Sequence, residues 1–373
     1  MSQPPIAFFD IQRQHDSLRT ELNAAALDAL NSMQWLLGPQ TEKFEKDFAA
    51  LLGVKHCISC SSGASAIQLA LMAAGIGPND EVITSPFTFI ATTSSITLTG
   101  AKFVFADIEP DTCALSVQSI EQKITAKTKA ILPVHLYGYP ANMPAIKALA
   151  EKYHLTVIED CAQSLLASVQ GTKTGGLGHA GAFSFYPSKN LGACGDAGAI
   201  TTNDDILAQR CRSLRHGGRN QEREYEHTLE GSTLRMDEVQ AAILRVKLKH
   251  LPEWTKARQQ IAALYAERLQ DLPLALPPDS TADYTHAYCV YTIQASQRDL
   301  LKQYLKENGI ASAIYYPVPL YRQPAYQHLG FEAKDFPVTE KVCQKVLSLP
   351  MFPELTRQEV FRICDTVRAF YKK

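Results

Sequence analysis

The 373-residue sequence lacks the features that would tie it to a nucleic acid, a membrane or an oxidising compartment. Its formal net charge is −1 at pH 7, so no basic surface able to follow a phosphate backbone is implied, and any anionic ligand must be held by a local set of donors. No apolar run approaches the roughly 18 residues that span a bilayer. The opening stretch, MSQPPIAFFDIQRQHDSLRTEL, has no basic flank followed by an apolar core and does not read as a signal peptide; a cytoplasmic location is the expectation. Internal repeats and low-complexity segments are missing as well. The nine cysteines are odd in number and scattered, which fits reduced thiols better than a disulfide framework. Cys57 and Cys60 have a spacing that suits zinc or redox chemistry. However, no second close pair completes a zinc site and KHCISC reads as a short strand, so packing is the expected role and no metal is expected.

What is present is an ordinary globular composition, 46% apolar and 20% charged, in a chain too long for one core. From about residue 55 to 205, strands and helices alternate. CISC leads through a turn at Ser61–Gly63 into the helical run ASAIQLALMAA, which Gly75 closes. EVITS, KFVFADI, KAILPVHL and LTVIED read as strands, with helices expected over Ala91–Leu98 and MPAIKALAEKYH. This order predicts an α/β fold with a mostly parallel sheet covered by helices, which binds ligands at the carboxyl ends of its strands. After about residue 204 helices dominate: DILAQRCRSLRH, RMDEVQAAILRVKLKHL and EWTKARQQIAALYAERLQDL. Pro252 suits the first turn of the third, and Trp254, Ile261, Leu264 and Tyr265 share one of its faces. A connector rich in Pro and Asp follows, then a strand (YCVYTIQ), a helix (RDLLKQYLKEN), a strand (SAIYY) and a final helix opened by the capping-box spacing Thr356–Glu359. Two units are expected: a large ligand-binding domain over 1–250 and a smaller α+β domain over 251–373.

Four short segments carry chemistry. In SFYPSKN a strand ends at Ser184 and a lysine follows at 189, past Pro187. Desolvating an ammonium is costly, and burial frees the neutral amine for carbonyl chemistry, so Lys189 is a candidate Schiff-base lysine; a surface lysine on a Gly-rich loop is the equal alternative. Glycines 192, 195 and 198 are expected to clear room beside it. LTVIEDCAQS ends a buried strand on Glu159–Asp160, where an acid can face a ligand. Pyridoxal phosphate needs such an acid to keep its ring nitrogen protonated. SSGASAI opens a helix directly after a strand, an arrangement that suits a phosphate, although Ser-Gly before a helix is also ordinary capping. In SPFTFIAT, Phe89 could stack on a flat ring, although on this segment alone a buried core phenylalanine is the favoured reading.

In that order, with the longer motifs ILPVHLYG, VIEDCAQS, FSFYPSKNLGACGDAGAI, RMDEVQAAIL, IYYPVPLYRQPAY and LSLPMFPELT, the chain closely resembles the DegT/DnrJ/EryC1/StrS sugar aminotransferases, fold type I pyridoxal-phosphate enzymes, over nearly its whole length. The resemblance implies that Lys189 binds the aldehyde of pyridoxal 5'-phosphate and that Asp160 pairs with the ring nitrogen. It places Gln163 near the ring hydroxyl and Phe89 on the ring. The amides of Gly63 and Ala64 and the Ser184 hydroxyl hold the phosphate. Tyr186, Tyr316 and His216 are candidate sugar contacts. Arg235 could clamp a ligand, but an ion pair with Asp237 or Glu238 is the favoured reading. Homodimers with shared active sites, glutamate as amino donor, a nucleotide-linked keto-sugar as acceptor and ping-pong kinetics are also implied.

FYPSKN followed by Gly195-Asp196-Ala197-Gly198 is similar to relatives that aminate carbon 3, although Ala197 stands where Gly is common. A carbon-4 aminotransferase is the alternative, and a regulator that only binds the cofactor is a more distant one. Relatives that dehydrate or deoxygenate sugars carry His in place of the lysine, so Lys189 argues against that chemistry. Two further departures are Ala64 where the family often has Thr, and Thr233 where it often has an Asn that reaches the neighbouring subunit's cofactor phosphate. A lost neutral hydrogen bond is worth about 0.5–1.5 kcal/mol. Thr233→Asn is therefore expected to tighten cofactor retention several-fold; a cofactor dissociation constant equal to the parent's would count against this reading.

Overall fold

The computed structural model describes residues 4–220, 223 and 225–372. Its central sheet has seven strands: β1 (His56–Cys60), β2 (Glu81–Thr84), β3 (Lys102–Phe105), β4 (Thr128–Leu132), β5 (Thr156–Asp160), β8 (Ala180–Ser184) and β9 (Gly198–Thr202). Two short strands, β6 (Ser168–Val169) and β7 (Thr172–Lys173), form a hairpin between β5 and β8. The sheet order is β1-β9-β8-β5-β4-β2-β3. Pairing is parallel from β8 to β3, while β9 runs antiparallel to both β1 and β8. Six strands therefore point one way, and their carboxyl ends share one edge.

Successive residues of a strand face opposite sides of the sheet, and the core divides accordingly. Val82, Ala130, Leu132, Ile158 and Ile200 pack with α3 (Gly63–Ala73) and α7 (Asp205–Leu214) on one side. Ile83, Ile131 and Val157 face the other side, where they meet residues of α5 (Val117–Lys123) and α6 (Met143–Tyr153). On that same side an aromatic cluster of Phe44, Phe48, Phe183 and Phe185 joins α2 (Pro39–Leu52) and α8 (Glu238–Leu248) to the sheet. Its rings meet edge to face or tilted at 5.2–5.5 Å, an arrangement favoured by the ring quadrupole. Ala197 is buried in this cluster, so the methyl group at this position has a packing role. An N-terminal helix, α1 (Ile11–Asn31), lies against α8. The helix expected over Ala91–Leu98 is α4 (Ile90–Thr97).

A second core begins with α9 (Leu251–Leu269), which has Pro252 in its first turn. It includes Tyr265, Ile293, Leu301, Leu347 and Ile363. The antiparallel sheet here is β10 (Leu274–Ala275), β12 (Tyr291–Ala295) and β13 (Val346–Leu349), while β11 (Tyr284–Thr285) pairs with β6 of the large unit. Helices α10 (Arg298–Glu307) and α12 (Arg357–Tyr371) cover it, and α11 (Pro337–Cys343) precedes β13. On α9, Trp254, Ile261 and Tyr265 are buried and Leu264 is half-buried, as the helical spacing predicts. Thr356 and Glu359 form the expected capping box: the Glu359 N–H donates to the Thr356 hydroxyl at 3.3 Å and the Thr356 N–H to the Glu359 carboxylate at 2.8 Å.

The strand expected at SAIYY does not form. Only Ala313 bridges to Ser348, and the chain then turns toward the carboxyl edge of the large sheet, where Tyr315 and Tyr316 line a cavity. The two cores also exchange segments. Ile6 packs into the second core, and Leu320, Tyr321, Tyr326 and Phe336 into the first. All nine cysteines are free; Cys57 and Cys60 are buried, and burial pushes the Cys60 thiol up to about 12. No described helix is long and apolar enough to cross a membrane.

Candidate active site

The carboxyl ends of β1, β2, β5 and β8 open on a cavity of about 580 Å³. Its walls bring together Gly63, Ala64, Phe89, Asp160, Gln163, Ser184, Tyr186, Lys189 and Tyr316 of the residues singled out from sequence. They come from four loops, each leaving the end of a strand or preceding the helix that follows one, and from the segment that fails to continue as a strand near Tyr316.

Alternation at the end of β5 gives its two acids different fates. The Glu159 carboxylate turns into the protein, fully buried, and accepts backbone N–H bonds from Gly175, Leu177 and Gly178 at 2.7–2.9 Å. His135 Nε2 lies 2.9 Å from it, while His135 Nδ1 accepts the Ala141 N–H at 3.0 Å, so Nε2 carries the proton donated to Glu159. With Cys161 these two residues form the only compact His/Cys/Asp/Glu group among the described residues. Their lone pairs and protons are already committed to the fold, so the group is a structural network.

Asp160 turns into the cavity wall and is 5% exposed. One carboxylate oxygen accepts from the Thr92 hydroxyl at 2.9 Å and the other from the Ala162 N–H at 3.1 Å. Burial pushes its pKa above the usual carboxylate range; these two donors and the charge of Lys189 oppose that shift. Thr92 in turn bonds Thr88 at 2.9 Å. Neither threonine stands out in the sequence, because a hydroxyl in the first turn of a helix is ordinary until the fold brings a carboxylate to it.

Lys189 lies in the loop leaving β8. Its backbone N–H closes a turn on the Tyr186 carbonyl at 2.8 Å, while its ammonium group has no hydrogen-bond or ion-pair partner among the described residues. The lysine is half-buried. The glycines around it were expected to clear space for a ligand, but they sit at close contacts instead: a Cβ at 192 would lie 2.3 Å from the Pro187 carbonyl oxygen, one at 198 2.2 Å from that of Ser62, and one at 195 2.9 Å from the Gln240 side chain.

At the other end of the cavity α3 begins. Ser62 caps it by accepting the Ser65 N–H at 3.1 Å. The N–H groups of Gly63 and Ala64 belong to its first turn, which has no intrahelical acceptors to offer them. Ser184 lies directly against Gly63, where an added Cβ would approach the serine Cβ to 2.6 Å. The result is two amides and a hydroxyl at a helix N-terminus, a combination that suits an anion. Phe89 is 58% exposed, with its ring tilted 31° to that of Tyr316 at 6.3 Å. Gln163 accepts the Tyr137 N–H at 2.7 Å and reaches the Tyr316 hydroxyl at 3.4 Å. Burial and the nearby Asp160 raise the pKa of that phenol.

Thr233 and His216 lie elsewhere. They bridge each other in the segment that follows α7, outside this chain's cavity. The ion pair of Arg235 with Asp237 or Glu238 that the sequence favoured does not form. The Arg235 guanidinium is 3.1 Å from His216 Nδ1, and the Glu238 carboxylate instead accepts the N–H groups of Gly38, Gln40 and Thr41. Burial, then the charges of Arg235 and Arg219, lower the pKa of His216.

A cavity lined by an unpartnered amine, a buried carboxylate, an exposed aromatic ring and a helix-start anion cradle fits pyridoxal phosphate group by group. Comparison with known proteins agrees. The model of the DegT/DnrJ/EryC1/StrS aminotransferase family matches residues 16–368. The chain is 44% identical to a pleiotropic regulatory protein of Geobacillus stearothermophilus, covering 98% of this chain and 99% of the relative. It is also 44% identical to a UDP-N-acetyl-3-dehydro-alpha-D-glucosamine 3-aminotransferase of Acidithiobacillus ferrooxidans, covering 97% of each. The crystal structure of S. venezuelae DesV in complex with a ketimine intermediate superimposes with a TM-score of 0.96 at 40% identity, covering 100% of both chains. Further relatives carry the names of 3-amino-sugar transaminases.

Because burial raises the Asp160 pKa, the cofactor-free folded chain binds this proton more tightly than the unfolded chain, whose ordinary value is 3.8. The contribution of Asp160 to stability is thus most favourable at low pH, falls as pH rises through the raised folded value, and is level above it. Asp160→Asn carries no charge and removes that fall. The cofactor-free variant should gain urea-midpoint stability relative to the parent as pH rises from about 4 toward neutrality; a gap that stays constant with pH would contradict the assignment.

Proposed function

The chain belongs to the DegT/DnrJ/EryC1/StrS aminotransferase family, and we propose that it transfers an amino group from glutamate to carbon 3 of a nucleotide-linked keto-sugar, using pyridoxal 5'-phosphate in the cavity around Lys189. The observation that carries this reading is the amine of Lys189, free of any partner, sharing one cavity with the buried Asp160. The cofactor, when bound, supplies an aldehyde that links to amines and a cationic ring that draws an electron pair from the neighbouring carbon.

The residues divide that work. Lys189, with nothing to compete for its amine, would bond to the aldehyde, and its Nζ would be the group that takes a proton from the donor's α-carbon and returns one to the sugar carbon that becomes the amine carbon. Asp160 is costly to ionise in the empty cavity, and a cationic ring nitrogen offsets that cost; Thr92 and the Ala162 N–H fix the carboxylate's orientation. Gly63, Ala64 and Ser184 would hold the phosphate at the start of α3, and Gln163 and Phe89 would be the further residues that hold the ring. Tyr186 and Tyr316 exclude water at the mouth and meet the sugar. In a homodimer, Thr233 would reach the phosphate of the other copy's cofactor and His216 the sugar. The two units divide after residue 250, between α8 and α9.

Carbon 3 is favoured over carbon 4 by FYPSKN with Gly195–Gly198 and by the relatives named above. The regulatory name carried by one relative supports a second reading, a cofactor-binding protein without turnover. Adding glutamate to the yellow protein separates the two: a transaminase loses its visible absorbance in a half-reaction and a binding protein keeps it.

Lys189→Ala should lose both the visible absorbance of bound cofactor and all turnover; retained turnover would remove the central assignment. In a screen of 3-keto and 4-keto nucleotide sugars with glutamate, the 3-keto substrates should be aminated, and exclusive 4-keto turnover would overturn the choice of carbon.

A further inference from the structure

Helix α8 carries a lysine where its neighbours are apolar. Leu244, Val246 and Leu248 are buried, and Lys247 between them is 2% exposed. Charged side chains are rarely buried this fully without a paired partner. No ion pair to Lys247 is formed among the described residues. Its ammonium donates instead to the backbone carbonyl of Gly192 at 2.7 Å, and burial draws its pKa below the usual lysine value. A methionine would fill the same volume at a lower desolvation cost, so packing alone does not explain the residue.

Gly192 is the return limb of the loop that presents Lys189. The loop doubles back so tightly that Gly192 touches the Pro187 carbonyl, and its base is closed by the Ala193 N–H donating to the Phe185 carbonyl at 2.8 Å. Two helical turns before Lys247, on the same face of α8, Gln240 grips the next residues. Its amide oxygen accepts the Cys194 N–H at 2.9 Å and its amide nitrogen donates to the Cys194 carbonyl at 3.3 Å. On the outgoing limb, Asn190 donates to the Ala287 carbonyl at 3.2 Å. The Lys189 side chain itself has no tether, so the loop backbone alone sets where its amine begins. On its return limb that backbone is held by Lys247 and Gln240.

We infer that Lys247, assisted by Gln240, is a positioning residue for Lys189: through the Gly192 carbonyl it fixes the loop from which the amine reaches the cofactor's aldehyde. The inference rests on Lys189 being the cofactor-binding lysine. The consequence is kinetic. With the return limb released, the loop samples positions from which the amine misses the aldehyde, and covalent capture slows.

The test uses the full-length protein stripped of cofactor. Parent, Lys247→Met, Lys247→Arg, Gln240→Leu and the exposed control Lys249→Met are melted without cofactor, then mixed with pyridoxal phosphate well below each melting temperature. The capture rate is read from the visible absorbance and the dissociation constant by titration. Lys247→Met is expected to capture at least about tenfold more slowly or bind at least about tenfold more weakly, a scale set by the cost of misplacing a reacting group. Lys247→Arg, which keeps donor and charge, should recover most of the loss, and Lys249→Met should match the parent. Parental capture and affinity in Lys247→Met would overturn the inference, as would an equal loss in Lys249→Met. If Lys247→Met does not fold, Gln240→Leu decides by the same readings. Parent protein that fails to capture the cofactor would overturn the functional reading along with this one, whereas normal capture in both parent and Lys247→Met overturns this one alone.

Discussion

A carboxylate buried at the end of a central strand is the constraint around which this molecule is arranged. Asp160 is placed by β5, oriented by the Thr92 hydroxyl and the Ala162 N–H, and left without a cation in direct contact. Such a group is unfavourable in isolation, because desolvation penalises its charge more than two neutral donors compensate. The cost is recovered only when a cation enters the cavity opposite it. On the proposed function, cofactor binding and the chemistry of the ring would be linked: the acid that anchors the heterocycle would also keep it protonated.

The rest of the architecture brings that acid and Lys189 to the walls of one cavity. The parallel strands bring their carboxyl ends to one edge, so residues far apart in sequence, from Gly63 to Lys189, face a single cavity. Glu159, one residue before Asp160, binds three backbone amides and His135, which fixes the end of β5 from behind. On the far side α8 holds the glycine-rich return of the lysine loop. The segment after β12 contributes Tyr315 and Tyr316 to the cavity wall.

Much of this was legible in the sequence because the relevant signals are local. Alternating strands and helices, Ser-Gly before a helix, an acid closing an apolar strand and a lysine past a proline are each visible within ten residues. Long-range consequences were less accessible. Thr92 is an unremarked hydroxyl until β5 brings Asp160 to it. The glycines at 192 and 198 look like cleared space in the sequence, but they are points where two backbones touch. SAIYY has strand composition, yet its tyrosines are drawn to the cavity and leave the ladder after one bridge. Arg235 seemed destined for its acidic neighbours in sequence, whereas Glu238 binds the N–H groups of Gly38, Gln40 and Thr41 and the guanidinium meets His216. Lys247 reads as an ordinary charge on an amphipathic helix, and only the packed structure shows it buried against the loop that carries the reactive amine.

The central claim is a geometric one, that a single amine and a single acid hold the cofactor between them. A crystal structure of the full-length protein grown with pyridoxal phosphate tests it most directly. The account predicts continuous density from Lys189 Nζ into the cofactor, with an Asp160 oxygen about 2.7–3.0 Å from the ring nitrogen. Cofactor density joined to another residue, or a ring nitrogen turned away from Asp160, would contradict it.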